Sequence, residues 1–256
     1  MKSSLYCDRI QRGTIQALHG FGGDGEDFLL VRTASEFDWC CMDLLGHGKS
    51  PKSSAPEQYS VQSQVEMVAS QVNGDILLGY SMGARLALHT VLEHPNIWKG
   101  LIMISGTAGL RDGRTERQSW DRALAHRLCT STGKDFWQYW SQVPIIQSQS
   151  RVEEGFRVKR EKRREDTDLK SLAASVLGFG AGMMPSVWNR LSEIRIPVLL
   201  IVGQEDEKYH MLGHDLDVGL KTSQLHVVAN SGHAPHMERP SVVAKTIDGW
   251  INTLLL

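Results

Sequence analysis

The chain has 256 residues, 41% hydrophobic and 22% charged, which suits one large globular domain with an insertion rather than two independent domains. A formal net charge of -1 excludes a global field that would draw nucleic acid or an anionic membrane. No stretch approaches the roughly eighteen apolar residues of a spanning helix. The first twenty residues lack a basic segment followed by an apolar run, so a cytoplasmic protein is expected.

Short apolar runs alternate with longer amphipathic ones along the chain. Thr14 to Leu18 reads as a first strand, stopped by His19-Gly20, and Phe37 to Leu44 as a second, closed by Gly46-His47-Gly48. Tyr59 to Val72 places Val61, Val65, Val68 and Val72 at helical spacing and ends at Asn73-Gly74. Asp75 to Leu78 is a third strand, followed directly by a helix over Ala84 to Leu92. Leu101 to Ile104, Pro197 to Val202 and Gln224 to Val228 are further strands, and Pro240 to Leu255 a closing helix. Near-continuous apolar strands alternating with helices predict an α/β fold with a mostly parallel sheet covered on both faces.

From about Ala108 to about Arg195 this rhythm breaks. The segment has no convincing strand, helical patterns over Trp120 to Leu128, Phe136 to Trp140 and Leu169 to Leu177, and a glycine-rich piece at Gly178 to Gly182. It is expected to be a helical lid (108–195) inserted into a core formed by 1–107 and 196–256. Such a lid would lie over the carboxyl edge of the sheet, where open α/β sheets bind ligands. The four cysteines, Cys7, Cys40, Cys41 and Cys129, form no C-x-x-C pair and have no histidine at ligand spacing. They read as reduced, mostly buried thiols, with neither a disulfide framework nor a zinc site.

Gly79-Tyr80-Ser81-Met82-Gly83 follows a strand and precedes a helix, the setting of a nucleophile elbow. The glycines allow the tight turn that lifts the serine hydroxyl above the sheet, and the helix N-terminus behind it favours developing negative charge. A serine hydroxyl needs a base and an orienting carboxylate, expected in the order Ser, Asp, His. Asp206 follows the fifth strand and His233 the sixth. Glu205 and Glu207 are rival carboxylates and His236 a rival base, but the Gly-His turn right after the strand favours His233. An oxyanion hole requires fixed backbone N–H groups; the His19-Gly20-Phe21-Gly22-Gly23 loop can supply that of Phe21, and Met82 the one after the serine. The same loop has neither G-x-x-x-x-G-K-[ST] nor G-x-G-x-x-G, so no nucleotide cofactor is expected.

The inserted segment is basic. Thirteen of the chain's 28 lysines and arginines fall between Arg111 and Arg164, against eight acids up to Glu165. That excess over a serine site suits a small-molecule substrate bearing carboxylates, which guanidinium groups bind bidentately. Arg85 adds to it, four residues past Ser81 on the elbow helix.

With the His-Gly loop, Asp43-Leu44-Leu45-Gly46-His47-Gly48-Lys49-Ser50, the elbow and Ser231-Gly232-His233, the chain resembles the α/β-hydrolase superfamily over essentially its whole length. Within it, the sequence is most similar to the menaquinone-pathway 2-succinyl-6-hydroxy-2,4-cyclohexadiene-1-carboxylate synthases. That likeness rests on Gly79 to Arg85, Glu116-Arg117-Gln118, Trp140 shortly before Pro144, an arginine near Arg164, and Gly203 to Lys208. It departs at Ala84, where a second elbow glycine is common, and the basic run Lys159 to Arg164 leaves open whether Arg163 or Arg164 faces the site. The resemblance implies an α/β-hydrolase fold and a lyase that eliminates pyruvate from a 5-enolpyruvyl substrate without cofactor or metal. It implies Ser81, His233 and Asp206 as the unit that removes a ring proton, with Phe21 and Met82 amides binding a substrate carboxylate. Arg85, Arg117 and Arg164 would clamp the other carboxylates, and Tyr80 and Trp140 line the pocket. The alternative on the same fold is a carboxylic-ester or C–C hydrolase.

Overall fold

The computed structural model describes residues 4–8 and 13–255. Seven strands form one sheet: β1 (Tyr6–Cys7), β2 (Ile15–Leu18), β3 (Trp39–Asp43), β4 (Ile76–Tyr80), β5 (Gly100–Ile104), β6 (Val198–Gly203) and β7 (Ser223–Val228). Their spatial order is β1-β3-β2-β4-β5-β6-β7, parallel throughout except for β1, which runs antiparallel to β3. Strands β2 to β6 are buried at every position. That double-sided burial explains runs such as Ile76-Leu77-Leu78, where no polar residue alternates.

Successive strand residues feed two cores, as the two-residue period of a strand requires. Leu77, Leu101, Met103 and Leu200 join helices α2 (Val61–Ala69) and α3 (Met82–Glu93) on one face. Ile76, Leu78, Ile102 and Ile201 join α1 (Leu29–Ala34) and, through Val243, Ile247 and Ile251, the closing helix on the other. The chain leaves β2 for β3 on one side and returns to β4 on the other, so the carboxyl ends of β2 and β4 form a switch point, the crevice where such sheets bind ligands.

Between β5 and β6 the described residues hold helices only: α4 (Arg114–Thr130), α5 (Gly133–Ser141), α6 (Pro144–Gln147), α7 (Glu154–Glu165) and α8 (Leu169–Phe179), with short 3₁₀ turns. Leu124, Leu128, Phe136, Trp140, Leu172 and Val176 give α4, α5 and α8 a small core of their own. After β6 comes α9 (Glu207–Gly219), and after β7 α10 (Pro235–Glu238) and α11 (Pro240–Leu255).

Each of the six expected strands is present within two residues of its expected ends. The two-residue β1 carries too little pattern to be read, and α7 escaped because its apolar residues are sparse among charges. The expectation of four reduced thiols is overturned: Cys7 and Cys40 form a disulfide, with Cα atoms 6.3 Å apart. Only the antiparallel pairing of β1 with β3 brings these cysteines, 33 positions apart, together. Cys41, one residue on, points to the opposite face and stays a buried free thiol; Cys129 is free and exposed.

Candidate active site

Ser81 stands alone between the end of β4 and the start of α3, at φ 52° and ψ −106°. A positive φ is costly for serine and persists only where surroundings impose it. Its N–H donates to the Ile104 carbonyl at 2.9 Å, and its carbonyl accepts from Arg85 N–H at 3.2 Å, so β5 and α3 hold it from both sides. A Cβ on Gly79 would lie 2.3 Å from the Gly83 carbonyl oxygen, and one on Gly83 2.1 Å from that of Leu18. Strand, turn and helix therefore cross within backbone contact, which is why both positions are glycine.

The turns after β6 and β7 bring the other two residues to Ser81. His233 Nε2 is 2.9 Å from Ser81 Oγ, and His233 Nδ1 is 2.6 Å from Asp206 Oδ2. Asp206 Oδ1 accepts from Tyr209 N–H at 3.3 Å, so the carboxylate also caps α9 and both its oxygens are fixed. The Nδ1 contact with a carboxylate sets the tautomer that leaves Nε2 free to accept the Ser81 proton. Glu205 instead pairs with Arg151, and Glu207 is exposed. His236 is buried against the Tyr80 ring at 4.3 Å, and burial drives its pKa down to about 3, so it stays neutral at ordinary pH.

The loop after β2 is built by two polar side chains. The His19 ring links the Gly20 carbonyl (2.7 Å from Nδ1) and Leu44 N–H (2.9 Å from Nε2). Asp43 accepts from the N–H groups of Gly25 at 2.7 Å and Lys49 at 2.6 Å, which explains the Asp43 to Ser50 motif. Phe21 and Met82 both line the large cavity above Ser81.

That cavity, of about 660 Å³, is floored by the strand ends and roofed by α4 to α8. Tyr80 and Trp140 form part of its wall, and Trp140 meets the Phe21 ring edge-on at 5.1 Å. Arg85, Arg117 and Arg164 all line it, in different states. Arg85 donates to the Met184 sulfur at 3.1 Å, and burial lowers its pKa. Arg164 stacks on Trp137 at 4.5 Å, its Nε buried without a partner; burial, then the charge of Arg160, bring its pKa down to about 9. Neither has a carboxylate partner among the described residues. Arg117 does: its Nε donates to Asp121 at 2.8 Å. Arg163 pairs with Asp24 at 2.8 Å and does not line this cavity, so of the two it is Arg164 that reaches the cavity.

Sequence reasoning left Arg160, Gln149 and Tyr209 unassigned, yet all three line the cavity. The signal for Arg160 was the acidic Asp24-Gly25-Glu26-Asp27 segment, opposite in charge to the run that holds it. Residues with metal-ligand spacing, Cys7, Asp8 and Cys40, lie where β1 meets β3, outside this cavity, and their two sulfurs are joined to each other.

Residues 17–246 match the model of the alpha/beta hydrolase family. A relative from Bacillus subtilis (strain 168), named provisionally as a 2-succinyl-6-hydroxy-2,4-cyclohexadiene-1-carboxylate synthase, is 32% identical over 94% of this chain and 90% of its own. The synthase of that name from Enterobacter sp. (strain 638) is 27% identical over 89% and 87%. Among solved structures, MenH from S. aureus superposes with a TM-score of 0.88 at 24% identity, covering 100% of both chains, a likeness of fold. With the family model spanning nearly all of the sheet and the elbow in place, the chain belongs to the alpha/beta hydrolase family.

Proposed function

We propose that this enzyme is a carbon–oxygen lyase of menaquinone biosynthesis. It converts 2-succinyl-5-enolpyruvyl-6-hydroxy-3-cyclohexene-1-carboxylate into 2-succinyl-6-hydroxy-2,4-cyclohexadiene-1-carboxylate and pyruvate, as the names of its relatives suggest. The observation that carries the reading is a hydrogen-bonded Ser81–His233–Asp206 unit opening on a cavity with two guanidinium groups, Arg85 and Arg164, that lack carboxylate partners among the described residues. A half-buried cation without a counter-ion carries a desolvation cost, and an anionic substrate supplies the missing charge.

In this reading the proton on ring carbon 2, acidified by the adjacent succinyl carbonyl, passes to Ser81 Oγ as Ser81 gives its own proton to His233 Nε2. The C–H electron pair becomes the 2,3 double bond, the 3,4 double bond shifts to 4,5, and the carbon 5–oxygen bond breaks. The leaving enolate takes up a proton to become pyruvate. Asp206 stabilises the imidazolium formed on the way. The Phe21 and Met82 amides hold one substrate carboxylate, and Arg85, Arg117 and Arg164 the others, between the walls of Tyr80 and Trp140. Residues 108–195 act as the cap over a core of 1–107 and 196–256. Such a multiply charged substrate does not cross a bilayer unaided, and we place the enzyme with it in the cytoplasm.

An ester or C–C hydrolase would use the same three residues by acyl transfer, but has no need of two free guanidinium groups. Incubation with the enolpyruvyl compound, following pyruvate and the diene chromophore together, is expected to give one of each per substrate consumed. Turnover of simple esters with no pyruvate from the enolpyruvyl compound would overturn the proposal.

A further inference from the structure

A chain of buried polar side chains runs from the loop after β2 to the elbow. Asp27, 1% exposed, accepts two hydrogen bonds from Arg160: Nε to Oδ1 at 2.8 Å and Nη2 to Oδ2 at 2.9 Å. Arg160 Nη1 donates to Gln149 Oε1 at 2.7 Å, and Gln149 Nε2 to the Tyr80 hydroxyl at 3.5 Å. Tyr80 immediately precedes Ser81. Burial pushes the Asp27 carboxyl pKa up, but the Arg160 guanidinium overrides this and brings it down to about 2, so the pair is ionic at any working pH.

Arg160 and Arg164 lie one turn apart on α7 and both line the cavity. Like charges at this spacing repel, and Asp27 opposes that repulsion at Arg164. Arg160 takes both Asp27 oxygens, one of them shared with Arg163, so among the described residues Arg164 is left without a carboxylate. Other contacts share the hold on α7: the Trp137 indole N–H donates to the Arg164 carbonyl at 2.8 Å, and Arg163 Nη2 reaches Asp27 Oδ1 at 3.4 Å. The helix packs on α5, its Phe156 joins the core around Tyr80, and Arg163 adds a bond to Asp24.

We propose that Asp27 is a positioning residue that latches α7: through Arg160 it fastens this helix over Ser81, and by balancing Arg160 it reserves Arg164 for a carboxylate of the substrate. The second half rests on the lyase reading above; the fastening of α7 does not.

The test combines amide hydrogen exchange with steady-state kinetics on the full chain. In Asp27→Asn, exchange across α7 should rise about tenfold or more while α3 and β4 stay as they were, since only the local opening is eased. KM for the enolpyruvyl substrate should rise about tenfold with kcat changed less than roughly threefold. Asp27→Leu combined with Arg160→Met removes both charges and replaces them with apolar packing, so α7 exchange and KM should both move back toward the wild type. Arg160→Lys keeps the charge but not the two-pronged bond, and should loosen α7 on its own. Unchanged α7 exchange in both Asp27→Asn and Arg160→Lys would overturn the latch. A loss confined to kcat, or a double variant no better than Asp27→Asn, would overturn the charge-balancing role. If the wild type released no pyruvate at all, the lyase reading would fail while the exchange result still decided the latch.

Discussion

The strand-end loops and the helical roof meet at one cavity but are built by different means. Ser81, Asp206 and His233 sit within a residue or a short turn of parallel strands, where backbone bonds and close crossings leave little freedom. The roof carries its functional groups on long side chains of helices with a small core of their own, steered by ion pairs such as Arg117–Asp121 and Arg160–Asp27. In the proposed reading, chemistry that needs fixed geometry lies on the sheet, and recognition that needs charge lies on the helices.

The strongest break of this contrast is Ser81→Ala, expected to lower kcat roughly 10⁴- to 10⁶-fold with little change in Tm. His233→Ala and Asp206→Asn should be comparably severe, and combining them should add little, because the three act as one unit. Near-normal turnover from any one would remove it from the mechanism.

Backbone tolerance should divide the same way. Gly83→Ala drives a Cβ into the Leu18 carbonyl and should cost about 3 kcal/mol or prevent folding. Gly133→Ala, at the start of α5 with nothing nearer than 3.7 Å, should be neutral or stabilise by about 0.5–1 kcal/mol. Chemical denaturation of the two variants compares them directly, and equal losses would mean the sheet is no more constrained than the roof.

Among the arginines, Arg85→Ala and Arg164→Ala should each cost roughly ten- to a hundredfold in kcat/KM for the enolpyruvyl substrate, one charge-assisted bond apiece. Arg117→Ala should cost less, because its guanidinium is already shared with Asp121. Lysine should rescue only partly. Equal losses toward a neutral ester would show these arginines to be structural and favour the hydrolase alternative.

Stability should also carry a pH slope. Burial holds His47 and His236 neutral, each with a pKa of about 3, whereas the unfolded chain takes up their protons near pH 6.5. The unfolded state then binds more protons, so their contribution to stability is complete above about pH 6.5 and falls as pH drops toward 3. Each histidine adds a slope of about 1.4 kcal/mol per pH unit within that window. Denaturant melts between pH 7 and 5 should show it, and His236→Phe should remove one share. A flat profile would mean these rings are not buried neutral.

The elbow, the order Ser-Asp-His and the six main strands were legible because each is a local pattern: an apolar run closed by glycine, with one reactive side chain at its end. The sign of the roof was legible too, as an excess of arginine. Which arginine does what was not. Arg163, Arg164 and Arg160 share one basic run, and only the turn of α7 aims the first at Asp24, the second at the cavity and the third at Asp27. The Cys7–Cys40 bond escaped for the same reason, since a two-residue strand gives no periodicity and its partner lies 33 positions away on the neighbouring strand. Sequence by itself determined the parallel sheet, the serine and its two partners, because burial and turn chemistry are imposed residue by residue. Tertiary structure alone decided which charges are spent on one another and which are left for a ligand, because pairing depends on distance across the fold, and charge on a helix has no period that names its partner.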